Sequence, residues 1–180
     1  MTGNPTGADA DWIRSAVSQF EGPLTRYAVR LVGDADRARD VVQDTFLRLC
    51  SQDRFHVEPR LAEWLFTVCR NRSLDVLRKE KRMTRLSDEH ARVRPSPDPG
   101  PTELVERHDT AAKVLDLLAL LPLGQQEVIR LKFQNGFSYQ EISRISGHSV
   151  GNVGYLIHVG LKTLRGRLAD HSAAGTPIQA

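Results

Sequence analysis

The sequence predicts an all-α protein of two small helical domains joined by a flexible, proline-rich linker, the second domain carrying a helix-turn-helix. Three observations predict it. Apolar residues recur at three-to-four spacing through both halves, with no strand-like alternation of useful length. Prolines at 95, 97, 99 and 101 crowd the stretch RPSPDPGP, and proline both lacks a donor and biases its predecessor away from helix. Ser138–Leu168 reads as two helices across a tight turn. The expected partition is a tail over 1–10, a first domain over 11–86, a linker over 87–103, a second domain over 104–170 and a tail over 171–180.

In the first half, Trp12–Val32 carries apolar residues at 13, 17, 20, 24, 27, 28 and 31, a helical period interrupted near Gly22 and Pro23. Gly33 ends it, and Asp34 or Asp36 is placed to cap the next helix. That helix, Arg37–Cys50, buries Ala38, Val42, Thr45, Phe46 and Leu49 and turns Asp40, Gln43, Asp44, Leu47 and Arg48 outward. Ser51–Arg60, with Pro59, reads as a loop. A third helix runs from Leu61 to about Arg85. It starts apolar (Leu61, Trp64, Leu65, Val68, Cys69) and ends basic, with Arg70, Arg72, Arg78, Lys79, Lys81, Arg82 and Arg85 against Asp75 and Glu80. Such a helix can pack by its start and hold phosphates along its end, although a solvated charged end looks the same in sequence.

In the second half, Leu104–Leu121 forms a helix stopped by Pro122, and Gln125–Phe133 forms another. Asn135 and Gly136 then turn the chain into the helix-turn-helix, making a four-helix unit. Ser138 and Glu141 form an S-x-x-E capping box, Gly147 and His148 break the helix, and Ser149 caps the next. Val153, Ile157, Leu161, Leu164 and Leu168 define a buried stripe, with Gly160 on that side permitting close helix approach. Gly151, Tyr155, His158, Lys162 and Arg165 share another face. In a DNA-binding helix-turn-helix the second helix lies in the major groove. Residues at its start reach base edges, and Lys162, Arg165 and Arg167 suit phosphates. A plain amphipathic hairpin would share this pattern.

Composition bounds the function classes. The chain has 180 residues and a formal net charge of +3, which permits nucleic-acid binding without requiring it. Cys50 and Cys69 stand apart, without zinc-ligand spacing, and read as small buried hydrophobes in a reducing cytosol. No run approaches a membrane span, and the first residues lack a basic-then-apolar signal pattern, so a cytoplasmic protein is expected. No nucleophile–base set, phosphate-binding Gly loop or metal spacing stands out, so no catalytic site, metal, cofactor or small-molecule substrate is expected.

Together the two halves resemble the sigma-70 class of RNA polymerase sigma factors, in its extracytoplasmic-function (ECF) group. The resemblance covers roughly Phe20–Arg85 and Val105–Leu168. DADRARDVVQDTFLRLC (Asp34–Cys50) resembles the segment that docks on the core polymerase clamp. LAEWLFTVCRNRSLDVLRKEKR (Leu61–Arg82) resembles the segment that melts and reads the −10 promoter element. LLALLPLGQQEVIRLKFQNGFSYQEIS (Leu117–Ser143), with the helix-turn-helix after it, resembles the −35 reader. The order and spacing of these motifs around a linker are more specific than any one of them.

The resemblance implies a role for each group. Asp40, Gln43 and Asp44 would present acceptors to the β′ clamp of core RNA polymerase, with Leu47 an apolar contact among them. Phe55 and His56, in the loop before the basic helix, would help capture a flipped −10 base together with Asn71, while Arg78, Lys79 and Arg82 hold phosphates. Trp64 matches a family aromatic whose apolar neighbours favour a core role. Ser149, Gly151, Asn152, Tyr155, His158, Lys162 and Arg165 would meet −35 DNA. The implied partners are core polymerase (β′ clamp and β flap), promoter DNA and an anti-sigma factor.

The reading helix departs from the family. Members commonly carry a basic residue and a Ser-Arg pair after the Val, whereas here cations begin only at Lys162. That implies fewer phosphate contacts and base reading by Tyr155, Asn152 and His158. Two other readings are open to the sequence: a stand-alone helix-turn-helix regulator, which leaves the first half unexplained, and a helical adaptor that binds only proteins.

Overall fold

A computed structural model describes residues 7–86 and 114–174, with side chains over 9–82 and 114–169. The expected linker over 87–103, the start of the Leu104–Leu121 helix, and residues 1–6 and 175–180 lie outside the described residues. The described residues fall into two units, divided between Asp98 and Pro99, and contain helices and turns without strands.

The first unit packs three long helices: α1 (Gly7–Val32), α2 (Ala35–Cys50) and α4 (Leu61–Leu86), each against the other two. Short α3 (Arg54–Val57) and a 3-10 turn over Glu58–Arg60 lead into α4. Leu24, Ala28, Val41, Val42, Leu49, Leu65 and Phe66 fill the centre, and the Tyr27 and Phe66 rings meet at 5.2 Å between centroids. The buried hydroxyls of Thr45 and Ser73 donate to the carbonyls one turn back, of Val41 and Cys69, so they enter the core satisfied.

The period break expected at Gly22–Pro23 does not interrupt the helix: α1 runs through Pro23. Proline in a helix costs about 3 kcal/mol. Ala16, Leu24, Tyr27 and Ala28 nonetheless form one buried face across the proline. Burying each large side chain returns about 1.5–3 kcal/mol, and that face would be lost if the helix ended there. The Ser51–Arg60 segment likewise holds helical turns where a loop is expected. Asp53 caps α3 and the buried Val57 anchors it. Cys69 is buried as expected, but Cys50 is exposed. It ends α2 one residue past fully buried Leu49, on the outer wall of the α1–α2 groove. Helix α1 also begins inside the expected N-terminal tail, with Asp9 in its first turn complementing the helix dipole, and α8 extends beyond residue 170 to Ala174.

The second unit comprises a helical stretch over 114–119 (α5), α6 (Leu123–Phe133), α7 (Tyr139–Ser146) and α8 (Val150–Ala174). Gln126 Nε2 donates to the carbonyls of Ala119 and Leu121 at 3.0 and 2.8 Å, satisfying the end of α5. Helix α8 packs on both α6 and α7 through Val153, Ile157 and Leu164. Gly160 permits the close approach of α8 to α6, because a Cβ there would stand 2.6 Å from Ile129 Cδ1 and force that methyl to shift.

Candidate functional site

The clamp-like residues lie on α2, whose start is fixed by Asp34 accepting from the Arg37 N–H at 2.8 Å. Ala38, Val41, Val42, Thr45, Phe46 and Leu49 take the inward face. Asp40, Gln43, Asp44 and Leu47 therefore share an arc of about 100° on the other side. Asp40 and Gln43 are exposed, and Leu47 is 68 % exposed, a large apolar side chain held in solvent. Gln43 and Leu47 also border an open groove of about 830 Å³ between α1 and α2, lined by Ile13, Val17, Val42 and Phe46. Asp44 differs from its neighbours. It is half-buried and pairs with Arg72 of α4, while Arg37 pairs with Glu80 on the same α2–α4 seam. Its carboxylate is already partly committed within the fold.

The −10-like residues divide between a knuckle and a helix face. At the knuckle, Asp53 accepts from the Phe55 N–H at 3.0 Å and lies 2.9 Å from His56 Nδ1. Arg54 grips Glu58 with two hydrogen bonds of 3.0 and 2.9 Å and lies over the Trp12 ring. That pairing raises the Arg54 pKa and lowers that of Glu58. The backbone is thus tied at both ends while Phe55 stands 85 % exposed, an apolar ring with a wet face. On α4, Asn71, Arg78, Lys79 and Arg82 are all exposed. Spacing puts Asn71, Arg78 and Arg82 on the side opposite buried Leu65, Phe66, Cys69 and Ser73, with Lys79 at its flank. Arg78 pairs with Asp75 at 3.2 Å. Trp64, two turns before Asn71, shares its side of the helix and is half-buried, neither fully in the core nor free of it.

The helix-turn-helix forms as its sequence signals require. The Ser138 N–H donates to Glu141 Oε2 at 2.7 Å, and the Glu141 N–H returns to Ser138 Oγ at 3.3 Å. The Ser138 hydrogen bonds hold the Glu141 carboxyl below its ordinary pKa. Gly147 takes φ 76°, a left-handed conformation that L side chains rarely adopt. Ser149 Oγ accepts from the Asn152 N–H at 3.2 Å, starting α8. Ser149, Gly151, Asn152, Tyr155, His158, Lys162 and Arg165 are all exposed, Tyr155 by 64 %. They project away from the Val153–Ile157–Leu164 stripe, with no cation before Lys162. Sequence reading missed Tyr139, 39 % exposed beside Gly154, whose ring lies under Lys132 Nζ at 5.6 Å. Its place one residue after the Ser138 cap was the available signal.

Among the described residues, no group of three His, Cys, Asp or Glu side chains could hold a metal, and no helix is long and apolar enough to cross a membrane.

Comparisons with known proteins match both units of the chain. The family model for Sigma-70 region 2 matches residues 16–83, and that for Sigma-70, region 4 matches residues 111–164. The chain is 34 % identical over 144 residues to the ECF RNA polymerase sigma factor EcfG of Rhodopseudomonas palustris, covering 79 % of this chain and 77 % of that one. It is 32 % identical over 163 residues to the ECF RNA polymerase sigma factor SigL of Mycobacterium tuberculosis, covering 88 % and 89 %. In fold it is similar to the sigma factor RpoE of Bartonella quintana, solved with the anti-sigma factor NepR. That match has a TM-score of 0.64 at 24 % identity and covers 87 % of this chain and 96 % of that one. The chain belongs to the ECF group of the sigma-70 family of RNA polymerase sigma factors.

Proposed function

We propose that this promoter-directing sigma factor divides its work among the faces described above. The outward arc of α2 (Asp40, Gln43, Asp44 and Leu47) meets the β′ clamp of core polymerase. The knuckle and outer face of α4 (Phe55, His56, Asn71, Arg78, Lys79 and Arg82) melt and read the −10 element. The start of α8 (Ser149, Gly151, Asn152, Tyr155 and His158) reads the −35 element, with Lys162 and Arg165 on phosphates, and the second unit also meets the β flap. The two domains are taken as 11–86 and 104–170 about a linker over 87–103, with α1 extending the first back to Gly7 and α8 extending the second to Ala174.

One observation carries the reading: Phe55 is 85 % exposed on a backbone tied by Asp53 and by the Arg54–Glu58 pair. An exposed aromatic on a rigid support suits stacking on an unpaired base. A stand-alone duplex-binding regulator gives that knuckle no task. Two modest DNA grips on one chain gain from effective concentration once core polymerase holds both. The protein works in the cytoplasm, without cofactor, small-molecule substrate or catalytic group of its own, and an anti-sigma factor covers these faces when it is held inactive.

The test is fluorescence of 2-aminopurine placed in the −10 element of a matched promoter. With core polymerase and the full chain, emission should rise as the base unstacks. With Phe55→Ala it should rise several-fold less at equal occupancy. Equal melting by both proteins would refute the role of the knuckle.

A further inference from the structure

Asn152 carries the one side-chain amide between Ser149 and His158, and it is not loose. Its Nδ2 lies 3.3 Å from His148 Nδ1. His148 stands in the turn before α8 and is itself held by α7. Ser143 Oγ donates to the His148 carbonyl at 2.6 Å, and the His148 N–H donates to Ser146 Oγ at 3.4 Å. Ser146 is 4 % exposed and its hydroxyl donates to the Ile142 carbonyl at 2.7 Å. Helix α7 thus fixes the backbone of the turn from which the imidazole projects, and the imidazole meets the amide.

We propose that His148 is a positioning residue for base reading at the −35 element: its Nδ1 accepts from Asn152 and sets which edge of that amide faces DNA. The inference rests on the reading of Asn152 as a base contact. A neutral imidazole protonated at Nε2 offers Nδ1 as an acceptor. The Asn152 N–H that points away from Oδ1 goes to that acceptor. The other N–H and Oδ1 stay side by side, free for a base. That donor–acceptor pair matches adenine N7 and the adenine amino group. For this tautomer the reversed amide would set Oδ1 against the Nδ1 lone pair and is disfavoured.

Without the imidazole the amide samples both flips, and its χ1 is released among about three wells. Apparent affinity falls with the competent fraction, so adenine preference should drop about two- to sixfold. No new contact to DNA is needed for this effect, because His148 acts through Asn152.

The experiment selects functional −35 sequences from a randomised promoter library, using core polymerase and the full chain, and reads base preference at every position. Asn152→Ala identifies the position that Asn152 reads. His148→Ala should lower adenine preference there by about two- to sixfold and leave the other positions unchanged. His148→Asn, whose Oδ1 can take the place of Nδ1 as acceptor, should restore it. An effect of Asn152→Ala with wild-type preference in His148→Ala overturns the proposal alone, as does equal loss in His148→Ala and His148→Asn. No effect of Asn152→Ala at any position overturns the Asn152 reading and the proposal with it.

Discussion

Gly160→Ala probes the packing that supports the DNA-reading helix. The added Cβ would sit 2.6 Å from Ile129 Cδ1 and 3.5 Å from Gln125 Cβ and Oε1. Carbon atoms pack best at about 3.5–4.0 Å, so the Ile129 methyl must retreat by about 1 Å. Ile129 is only 5 % exposed, which leaves that methyl little room. Overpacking costs about 1–3 kcal/mol. Alanine returns up to about 1 kcal/mol of helix propensity over glycine. The expected net is a loss of up to about 2 kcal/mol in the second unit. Ile129→Val removes Cδ1 and alone costs about 0.5–1.5 kcal/mol. In the double variant the clash is gone and the propensity gain remains. The cycle should therefore show a favourable coupling of about 1–3 kcal/mol, the overpacking cost that is relieved. Hydrogen exchange of α6 and α8 amides in the full chain is the suitable assay, because Trp12 and Trp64 both lie in the first unit and tryptophan emission would report on that unit. An additive cycle, or a stabilising Gly160→Ala with Ile129 intact, would refute the close approach.

Four further outcomes are expected. Leu47→Ala should weaken core-polymerase binding in a pull-down while shifting stability by less than about 0.5 kcal/mol, since the side chain is 68 % exposed. Lys162→Ala should weaken binding to all −35 sequences alike and lower the slope of log affinity against log salt by about 1, whereas Tyr155→Ala should change preference and leave the slope intact. A polar thiol reagent should modify Cys50 in the folded protein and Cys69 only after unfolding. Burial pushes the Cys69 thiol up to about 12 from 9.0. Its contribution to stability is full below pH 9.0 and is lost as pH rises toward about 12. Over that window the native thiol keeps a proton that the unfolded one releases, so stability should fall by up to about 1.4 kcal/mol per pH unit. Denaturant titrations of wild type and Cys69→Ala across that range check it, and identical slopes would contradict it.

Local signals were legible and distant pairings were not. The Asp34 cap, the Ser138–Glu141 box and the αL turn at Gly147 depend on residues within a few positions of one another, and each formed as read. The buried stripe of α2, and that of α8 at Val153, Ile157 and Leu164, followed from helical period alone, whereas Leu161 and Leu168 of the expected α8 stripe are only half-buried. Pro23 misled because its local cost is visible in sequence, whereas the buried face on both sides of it is a tertiary gain. Cys50 misled because its apolar neighbours say nothing of the groove at which α2 ends. The Asp44–Arg72 pair spans 28 positions and has no periodic signature, so the expected polymerase acceptors appeared more alike than they are. The hold of His148 on Asn152 was equally hidden, since two polar residues four apart read as a solvated surface until the turn places one beside the other.

Transcription from a promoter library with randomised −10 and −35 elements, by purified core polymerase with and without this protein, tests the central claim most directly. The expected result is start sites that appear only when the protein is present, all downstream of one shared pair of elements. Their strength should fall with Leu47→Ala and Phe55→Ala. No protein-dependent start sites across the library, together with tight and specific duplex binding by the protein alone, would contradict it.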